Sequence, residues 1–154
     1  MSLPELTDAD ITLHESTRKA RLKWVIVVDE TLPPGRAANA AACMAAAVGR
    51  ALPRLLGPDT EDASGVAHTG LPWAGCSVLA TGTERLRAIR DKAAGKDRML
   101  VVDMPGHAQA SRVYTEFTEL MGGTKSDEMV YLGVALVGPR NAVDRLVGGL
   151  GLLA

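Results

Sequence analysis

Short apolar runs alternate along the chain with longer segments of helical periodicity. The first run, residues 23–29, is continuous and rich in β-branched residues, and a Pro-Gly turn separates it from an alanine-dominated segment at 35–52. Strands that are apolar at every position are typical of sheets covered on both faces. Alanine is the best intrinsic helix former. This opening unit therefore predicts a buried strand followed by a helix that packs close to its neighbours.

Three further pairs of strand and helix follow in the same order. We predict strands at residues 73–80, 99–103 and 129–137, and helices at 83–94, 107–121 and 139–148. The helix at 107–121 is expected to turn its apolar stripe inward, with Ala110, Val113, Tyr114, Phe117, Leu120 and Met121. Alternation of this kind favours a three-layer α/β/α sandwich, in which a mostly parallel sheet of four strands has helices on both faces.

The length of 154 residues fits one domain. Residues 1–22 are charged and weakly patterned, so we predict a polar N-terminal lead-in to a single α/β domain at 23–154. Residues 54–72 are rich in Gly, Pro, Asp and Ser and predict a long loop. Loops of this length in compact domains are usually functional or mobile.

Charge and hydropathy narrow the classes of function. There are 17 basic and 18 acidic residues, for a net charge of -1, so the chain lacks the basic excess typical of nucleic-acid binders. The N-terminal segment has no hydrophobic signal region. No run reaches the roughly 18 consecutive apolar residues that a membrane span requires. We therefore expect a cytoplasmic protein with neither a membrane nor a nucleic-acid partner.

The two cysteines, Cys43 and Cys76, give no indication of a catalytic or metal-binding role. They form no CxxC motif, and no His stands at metal-ligand spacing. Each lies in an apolar run, where a free cysteine behaves as a small hydrophobe. We expect both to be reduced, unreactive core thiols, and we expect no metal site and no cofactor.

Two predicted strands end in aspartate, Asp29 and Asp103, and each leads into a helix. Ligands of open α/β sheets bind beyond the carboxyl ends of the strands, so both residues are candidates for a binding site. The alternative is that both carboxylates accept hydrogen bonds from N–H groups of their own turns. His107 opens the helix after Asp103 and is either a further candidate or a solvated first-turn residue.

Arg36 and Asn39 lie one turn apart at the start of the alanine-rich helix. A positive charge in the first turn opposes the helix macrodipole. Either Asp29 or an anion bound at the helix start should therefore compensate Arg36. Asparagine is a poor helix former within a run of alanines, which indicates a specific hydrogen bond of Asn39.

Three stretches of the chain carry a family resemblance. They are the strand WVIVVD with its turn into RAANAAACMAAAVG, the strand YLGVALVGP with its closing helix, and the strand–helix unit between them. Together they resemble the type II peptidyl-tRNA hydrolase fold. Over about residues 23–153 they are more closely similar to an uncharacterised, mostly bacterial family of unknown function thought to share that fold. The resemblance implies a four-stranded mixed sheet between two pairs of helices, and a homodimer.

The resemblance does not extend to the catalytic residues of the hydrolase. That enzyme has a basic residue at the start of its first helix, then an Ala-Ala-Gln-Cys stretch that ends in His, and an Asp before a Gly-rich loop. In this chain Arg36 is the nearest basic residue, Asn39 stands near the amide position, and residues 43–45 contain no His. Residues 118–123 contain no Asp. We therefore expect peptidyl-tRNA hydrolysis to be absent or very weak.

These observations predict a pocket at Asp29, Arg36, Asn39, Asp103 and His107 that binds a small anionic ligand. One carboxylate or phosphate would suit Arg36 and the helix start, whereas the two aspartates would oppose a polyanion. Two alternatives stay open. One is a hydrolase that acts on a peptidyl or aminoacyl conjugate, and the other is a homodimeric interaction module without catalysis.

Overall fold

The computed structural model describes residues 3–154, which contain seven strands and five α-helices. The strands are β1 (Leu22–Asp29), β2 (Thr60–Glu61), β3 (Ala67–His68), β4 (Cys76–Thr81), β5 (Leu100–Pro105), β6 (Tyr131–Pro139) and β7 (Gly151–Leu152). The helices are α1 (Pro34–Ala51), α2 (Thr83–Ala94), α3 (Gly106–Ala110), α4 (Tyr114–Gly123) and α5 (Arg140–Val147). The predicted strands correspond to β1, β4, β5 and β6, with ends that differ by at most three residues. The predicted helices at 35–52, 83–94 and 139–148 correspond to α1, α2 and α5.

Five of the strands form one mixed sheet in the order β5–β6–β1–β4–β7. Within this sheet β1 and β4 are parallel, whereas β6 is antiparallel to both β1 and β5, and β7 is antiparallel to β4. The α/β class and the mixed sheet are confirmed, but the predictions of four strands and of a mostly parallel sheet are wrong. The fifth strand, β7, has only two residues and leaves no pattern in the sequence.

The direction of β6 follows from the path of the chain after β5. The backbone N–H of Gly106, next to the end of β5, donates to the carbonyl oxygen of Val130 at 2.8 Å, just before β6 begins. Helices α3 and α4 therefore leave and return at the same end of the sheet. A strand that starts where the previous strand ended runs antiparallel to it, and only a crossover to the opposite end makes the pair parallel.

Side chains of β1 face two separate apolar cores, because successive residues of a strand point to opposite faces of the sheet. Trp24, Ile26 and Val28 pack in the core under α1, whereas Val25 and Val27 pack in the core under α2 and α5. The helices thus cover both faces, which gives three layers. The resemblance implied two pairs of helices. Here one face carries α1, with Ala108 of α3 packed against the same core, and the other face carries α2 and α5.

Helix α1 packs close to the sheet because small residues line the contact. Its buried side chains are Ala37, Ala40, Met44 and Val48. On the facing strand, a Cβ added to Gly133 would lie 2.6 Å from the Met44 methyl carbon and 3.1 Å from the Val27 carbonyl oxygen. No side chain fits at position 133 unless this contact opens.

The predicted helix at 107–121 is interrupted. Helix α3 ends at Ala110, both Ser111 and Val113 have extended backbone, and α4 starts at Tyr114. The interruption changes the direction in which the apolar stripe points. The inward orientation is therefore wrong for the residues that are exposed, Ala110, Val113, Tyr114 and Leu120, while Phe117 and Met121 are partly buried.

The polar lead-in and the long loop are both tied to the domain. The guanidinium of Arg54 donates to the carbonyl oxygen of Leu6 and to the carboxylate of Asp8. Residues 54–72 form a hairpin in which β2 pairs with β3. At its turn, the Asp62 carboxylate accepts hydrogen bonds from two backbone N–H groups at 2.8 and 3.0 Å.

Candidate functional site

Asp29 ends β1 and is buried, with 5% of its surface exposed. Its carboxylate accepts hydrogen bonds from the N–H and hydroxyl of Thr31, at 2.8 and 2.7 Å, and from the Thr83 hydroxyl at 2.7 Å. Burial raises the pKa of Asp29, but the hydrogen bonds outweigh it and hold the pKa below its ordinary value. Asp29 therefore joins the end of β1 to the start of α2, and within residues 3–154 no ion pair links it to Arg36.

Asp103 contacts α2 as well. Its carboxylate accepts a hydrogen bond from Nε of Arg90 at 2.9 Å. Burial lowers the pKa of Arg90, but the hydrogen bond and charge of Asp103 outweigh it and raise that pKa overall. The Arg90 guanidinium also lies 5.2 Å from the ring centre of Tyr131. This cluster is an ion pair packed on an aromatic ring, on the opposite face of the sheet from α1.

His107 joins α3 to the end of α4. Its Nε2 lies 2.9 Å from the hydroxyl oxygen of Thr124. That hydroxyl donates its single hydrogen to the carbonyl oxygen of Leu120 at 2.8 Å. Whichever tautomer His107 adopts, this contact links α3 to the residue that follows α4.

Arg36 and Asn39 share one partner, Gln109 of α3. Nε of Arg36 donates to Oε1 of Gln109 at 2.7 Å. Nε2 of Gln109 donates to the Arg36 carbonyl oxygen at 2.9 Å and to Oδ1 of Asn39 at 3.0 Å. The predicted hydrogen bond of Asn39 is thus present. Because an amide carries no net charge, Gln109 positions Arg36 without neutralising it.

Two adjoining cavities lie between α1 and the chain from β5 to α4. The first, of about 400 Å³, is lined by Gly35, Arg36, Asn39, Ala108 and Gln109. The second, of about 490 Å³, is lined by Asn39, Cys43, Met104, Ala108, Ser111, Arg112, Val113, Tyr114 and Phe117. They share Asn39 and Ala108, and we call the two together the α1–α3 groove. Asp29, Asp103 and His107 do not line it.

The charged side chains that line the α1–α3 groove are both positive. They are Arg36 and Arg112, and the lining contains no Asp, Glu or His. Arg112 makes no hydrogen bond or ion pair with any described residue, and Arg36 bonds through Nε alone among its guanidinium nitrogens. The hydroxyl oxygen of Ser111 is buried and has no hydrogen-bond partner among the described residues. The groove therefore offers several unused donors and an uncompensated positive charge.

Sequence reasoning missed most of this groove. It did not identify Gln109, Ser111, Arg112, Tyr114 or Phe117 as site residues, because it placed them all on one continuous helix. No Pro or Gly marks the break between α3 and α4, so the usual punctuation is absent. The available signal was an arginine followed directly by two large apolar residues, Val113 and Tyr114.

The cysteines are not core residues, contrary to the prediction. Cys43 is exposed on α1 and lines the α1–α3 groove. Cys76 starts β4, at the other end of the sheet from this groove, and part of it is exposed. Burial nevertheless raises the pKa of the Cys76 thiol to about 11. Both thiols are free.

Other classes of site are not found in the part of the chain that the structure describes. No cluster of three or more His, Cys, Asp and Glu side chains is placed to hold a metal ion in residues 3–154. None of the helices in this range has the length and apolar character to cross a membrane.

The fold and the groove together define a mixed-sheet α/β domain with a cationic cleft beside its first helix. Residues 22–154 match the family described as "Protein of unknown function (DUF2000)", and the chain belongs to that family. This confirms the predicted membership of a family of unknown function.

The protein of unknown function Atu0240 from Agrobacterium tumefaciens strain C58 has a similar structure, with a TM-score of 0.80 and 20% sequence identity. The match covers 87% of this chain and 98% of that chain and shows the shared fold. No curated protein matches this chain.

Proposed function

We propose that this protein binds a small anionic ligand in the α1–α3 groove. The observation that carries the proposal is the charge of the lining, which has two arginines and no acidic side chain. Arg36 lies in the first turn of α1, where the positive end of the helix dipole already favours negative charge. An anion there would compensate both Arg36 and the helix start.

The ligand would be held by Arg36, Asn39 and Arg112. The free guanidinium nitrogens of Arg36 form a planar donor pair that suits the two oxygens of a carboxylate or phosphate. Gln109 fixes the side chain through Nε, so less rotamer freedom is lost on binding. Asp29, Asp103 and His107, which the sequence suggested as further site residues, have structural partners elsewhere and are not part of the proposal.

We favour binding over hydrolysis. General base catalysis needs a His, Asp, Glu or similar group within reach of the attacking water. The described lining of the groove contains none of those three residue types, and its Cys43 therefore has no His in the lining to activate the thiol. A hydrolase of peptidyl or aminoacyl conjugates would therefore need its base from outside the groove.

Four further predictions stay proposals. They are the relation to the type II peptidyl-tRNA hydrolase fold, a homodimer, a cytoplasmic location, and a lack of nucleic-acid binding. The near-balanced net charge of -1 supports the last of these.

The test is titration of the ¹⁵N-labelled protein with acetate and with inorganic phosphate, followed by NMR. We expect amide shifts at residues 35–43 and 106–114. Each of Arg36→Gln and Arg112→Gln should weaken binding about tenfold, because each removes a charge-assisted hydrogen bond. Arg145→Gln is the matched control, since Arg145 is exposed on α5, on the opposite face of the sheet. Shifts scattered over the surface, or equal weakening by all three variants, would refute the proposal.

A further inference from the structure

The geometry points to a more particular ligand, an amphipathic anion whose acyl or aryl group lies against Tyr114 and Phe117 while its charged group binds Arg36. This inference rests on the proposed function, because it concerns the same groove. It adds the chemical class of the uncharged part of the ligand, an acyl or aryl group.

The apolar half of the groove is surface that the fold leaves uncovered. Val113 and Tyr114 are 58% and 78% exposed, and no residue of α4 is buried. Both line the 490 Å³ cavity beside Met104, Ala108 and Phe117. Exposed apolar side chains grouped in this way are the kind of surface at which ligands and partners bind.

The shape of this surface suits a small group. Tyr114 and Phe117 pack edge to face, with ring centres 5.5 Å apart and planes at 64°. They form a wall, and Met104 at the end of β5 is buried beneath the same cavity. A concave apolar site with a few polar groups at one side is the usual form of a small-molecule pocket.

Polar donors lie between the charged and the apolar parts. Asn39 lines both cavities, and its amide nitrogen has no partner among the described residues. The Ser111 hydroxyl is buried without a partner in the apolar cavity. A buried hydroxyl without a hydrogen bond is costly, but the Ser111 oxygen has almost no accessible surface, so a ligand carbonyl would reach it only if a neighbouring side chain moved.

Charge selects this ligand over other amphipaths. The groove has two arginines and no acid, so a cationic amphipath with the same chain would be repelled and would leave both arginines without a counter-charge. The occupant is therefore an anion with an apolar body, of a size that fits cavities of about 400 and 490 Å³.

A chain-length series tests the inference. We would measure the Kd of straight-chain carboxylates from acetate to decanoate, below their aggregation limits, by calorimetry and NMR. Each added methylene should tighten binding about fourfold until the cavity is filled, after which Kd should level off. Octyl phosphate and phenylpropionate compare the head group and the shape of the apolar part, and octyltrimethylammonium is the control of opposite charge.

Two variants separate the two halves of the ligand. Tyr114→Ala changes a side chain that is 78% exposed, and it should flatten the dependence of Kd on chain length, with a smaller effect on acetate than on the longer carboxylates. Arg36→Gln should weaken every carboxylate by a similar factor and leave the dependence on chain length intact. Phe117→Ala removes the other ring of the apolar wall and is a second test of the same kind.

The outcomes distinguish this inference from the proposed function. If acetate and phosphate bind but longer chains bind no better, the inference is overturned and the proposed function stands. If no anion binds at the groove, both are overturned. If octyltrimethylammonium binds as tightly as nonanoate, the groove does not select anions and both fail. If the wild type is a dimer that Tyr114→Ala dissociates, and chain length has no effect, the apolar wall is a subunit interface and the inference is overturned.

Discussion

Asp29 is the residue for which the structure makes the sharpest prediction about stability. It was a candidate for ligand binding, yet its carboxylate accepts three hydrogen bonds, two from Thr31 and one from Thr83. These bonds connect β1, its turn and the first residue of α2. We predict that Asp29→Ala destabilises the fold and has little effect on ligand binding.

The magnitude follows from the number and setting of these hydrogen bonds. A hydrogen bond to a charged group contributes about 1.5–3 kcal/mol net. Thr31 and Thr83 are exposed, so after the substitution their N–H and hydroxyl groups form hydrogen bonds with water instead. Each lost hydrogen bond is therefore expected to contribute at or below the lower end of that range. The expected loss is about 3 kcal/mol. For a chain of this size that lowers Tm by about 6–12 °C.

Asp103→Ala is the matched control, because the same side chain is removed from the end of another strand. Asp103 makes one hydrogen bond, to Arg90, within a partly exposed ion pair. Pairs of this kind contribute about 0.2–1 kcal/mol. Urea unfolding of both variants at pH 7, followed by circular dichroism, measures the two losses side by side.

The dependence on pH provides an independent check. The folded pKa of Asp29 is depressed, so its stabilisation is present above the ordinary value of about 3.9 and is lost as the pH falls through the folded value. The difference between wild type and Asp29→Ala should therefore stay constant from pH 7 to about 5 and shrink below pH 4. If Asp29→Ala costs no more than Asp103→Ala, or abolishes anion binding without loss of stability, the structural role is refuted.

Two further predictions concern packing and thiol reactivity. Gly133→Ala should lower the free energy of unfolding in urea by about 1–3 kcal/mol, because its Cβ would overlap the buried Met44. Gly49→Ala, in open space on α1, should raise it by about 0.5–1 kcal/mol. Equal effects of the two substitutions would contradict the close packing of α1. Cys43 should react with a thiol reagent in the native protein, while Cys76, whose pKa is raised to about 11, should react roughly a hundredfold more slowly than a free thiol at pH 8. Labelling of Cys76 at the rate of a free thiol would contradict that burial.

Much of the fold was predictable because the signals were local. The run at 23–29 contains only one charged residue before Asp29, and burial on both faces makes that continuity necessary. Helix α1 was predictable because a run of alanines has few alternatives to helix. Helix α2 has the predicted bounds, since its buried residues Leu86, Ile89 and Ala93 follow a single helical stripe.

The direction of β6 and the break in α3–α4 depend on long-range contacts instead. Alternation of strands and helices does not distinguish a helix that crosses the sheet from one that returns to its starting edge. The hydrogen bond from Gly106 to Val130 decides between them, and no sequence pattern encodes it. The same return path requires Ser111 and Val113 to be extended, which creates the apolar half of the α1–α3 groove.

Successive side chains of a strand point to opposite faces of the sheet, and this alternation explains why the predicted site residues lie on two different faces. Asp29 and Asp103 contact α2, through Thr83 and Arg90, because both lie on the face that Val25, Val27 and Val101 share. Helix α1, with Arg36, covers the other face. A strand that is apolar on both faces does not reveal which face the next helix will cover. Residues at the carboxyl ends of strands can therefore be close in sequence to a helix start and still be separated from it by the thickness of the sheet. In this protein that separation removes both acids from the groove and leaves Arg36 and Arg112 as its charged residues, which is the basis of the proposed anion binding.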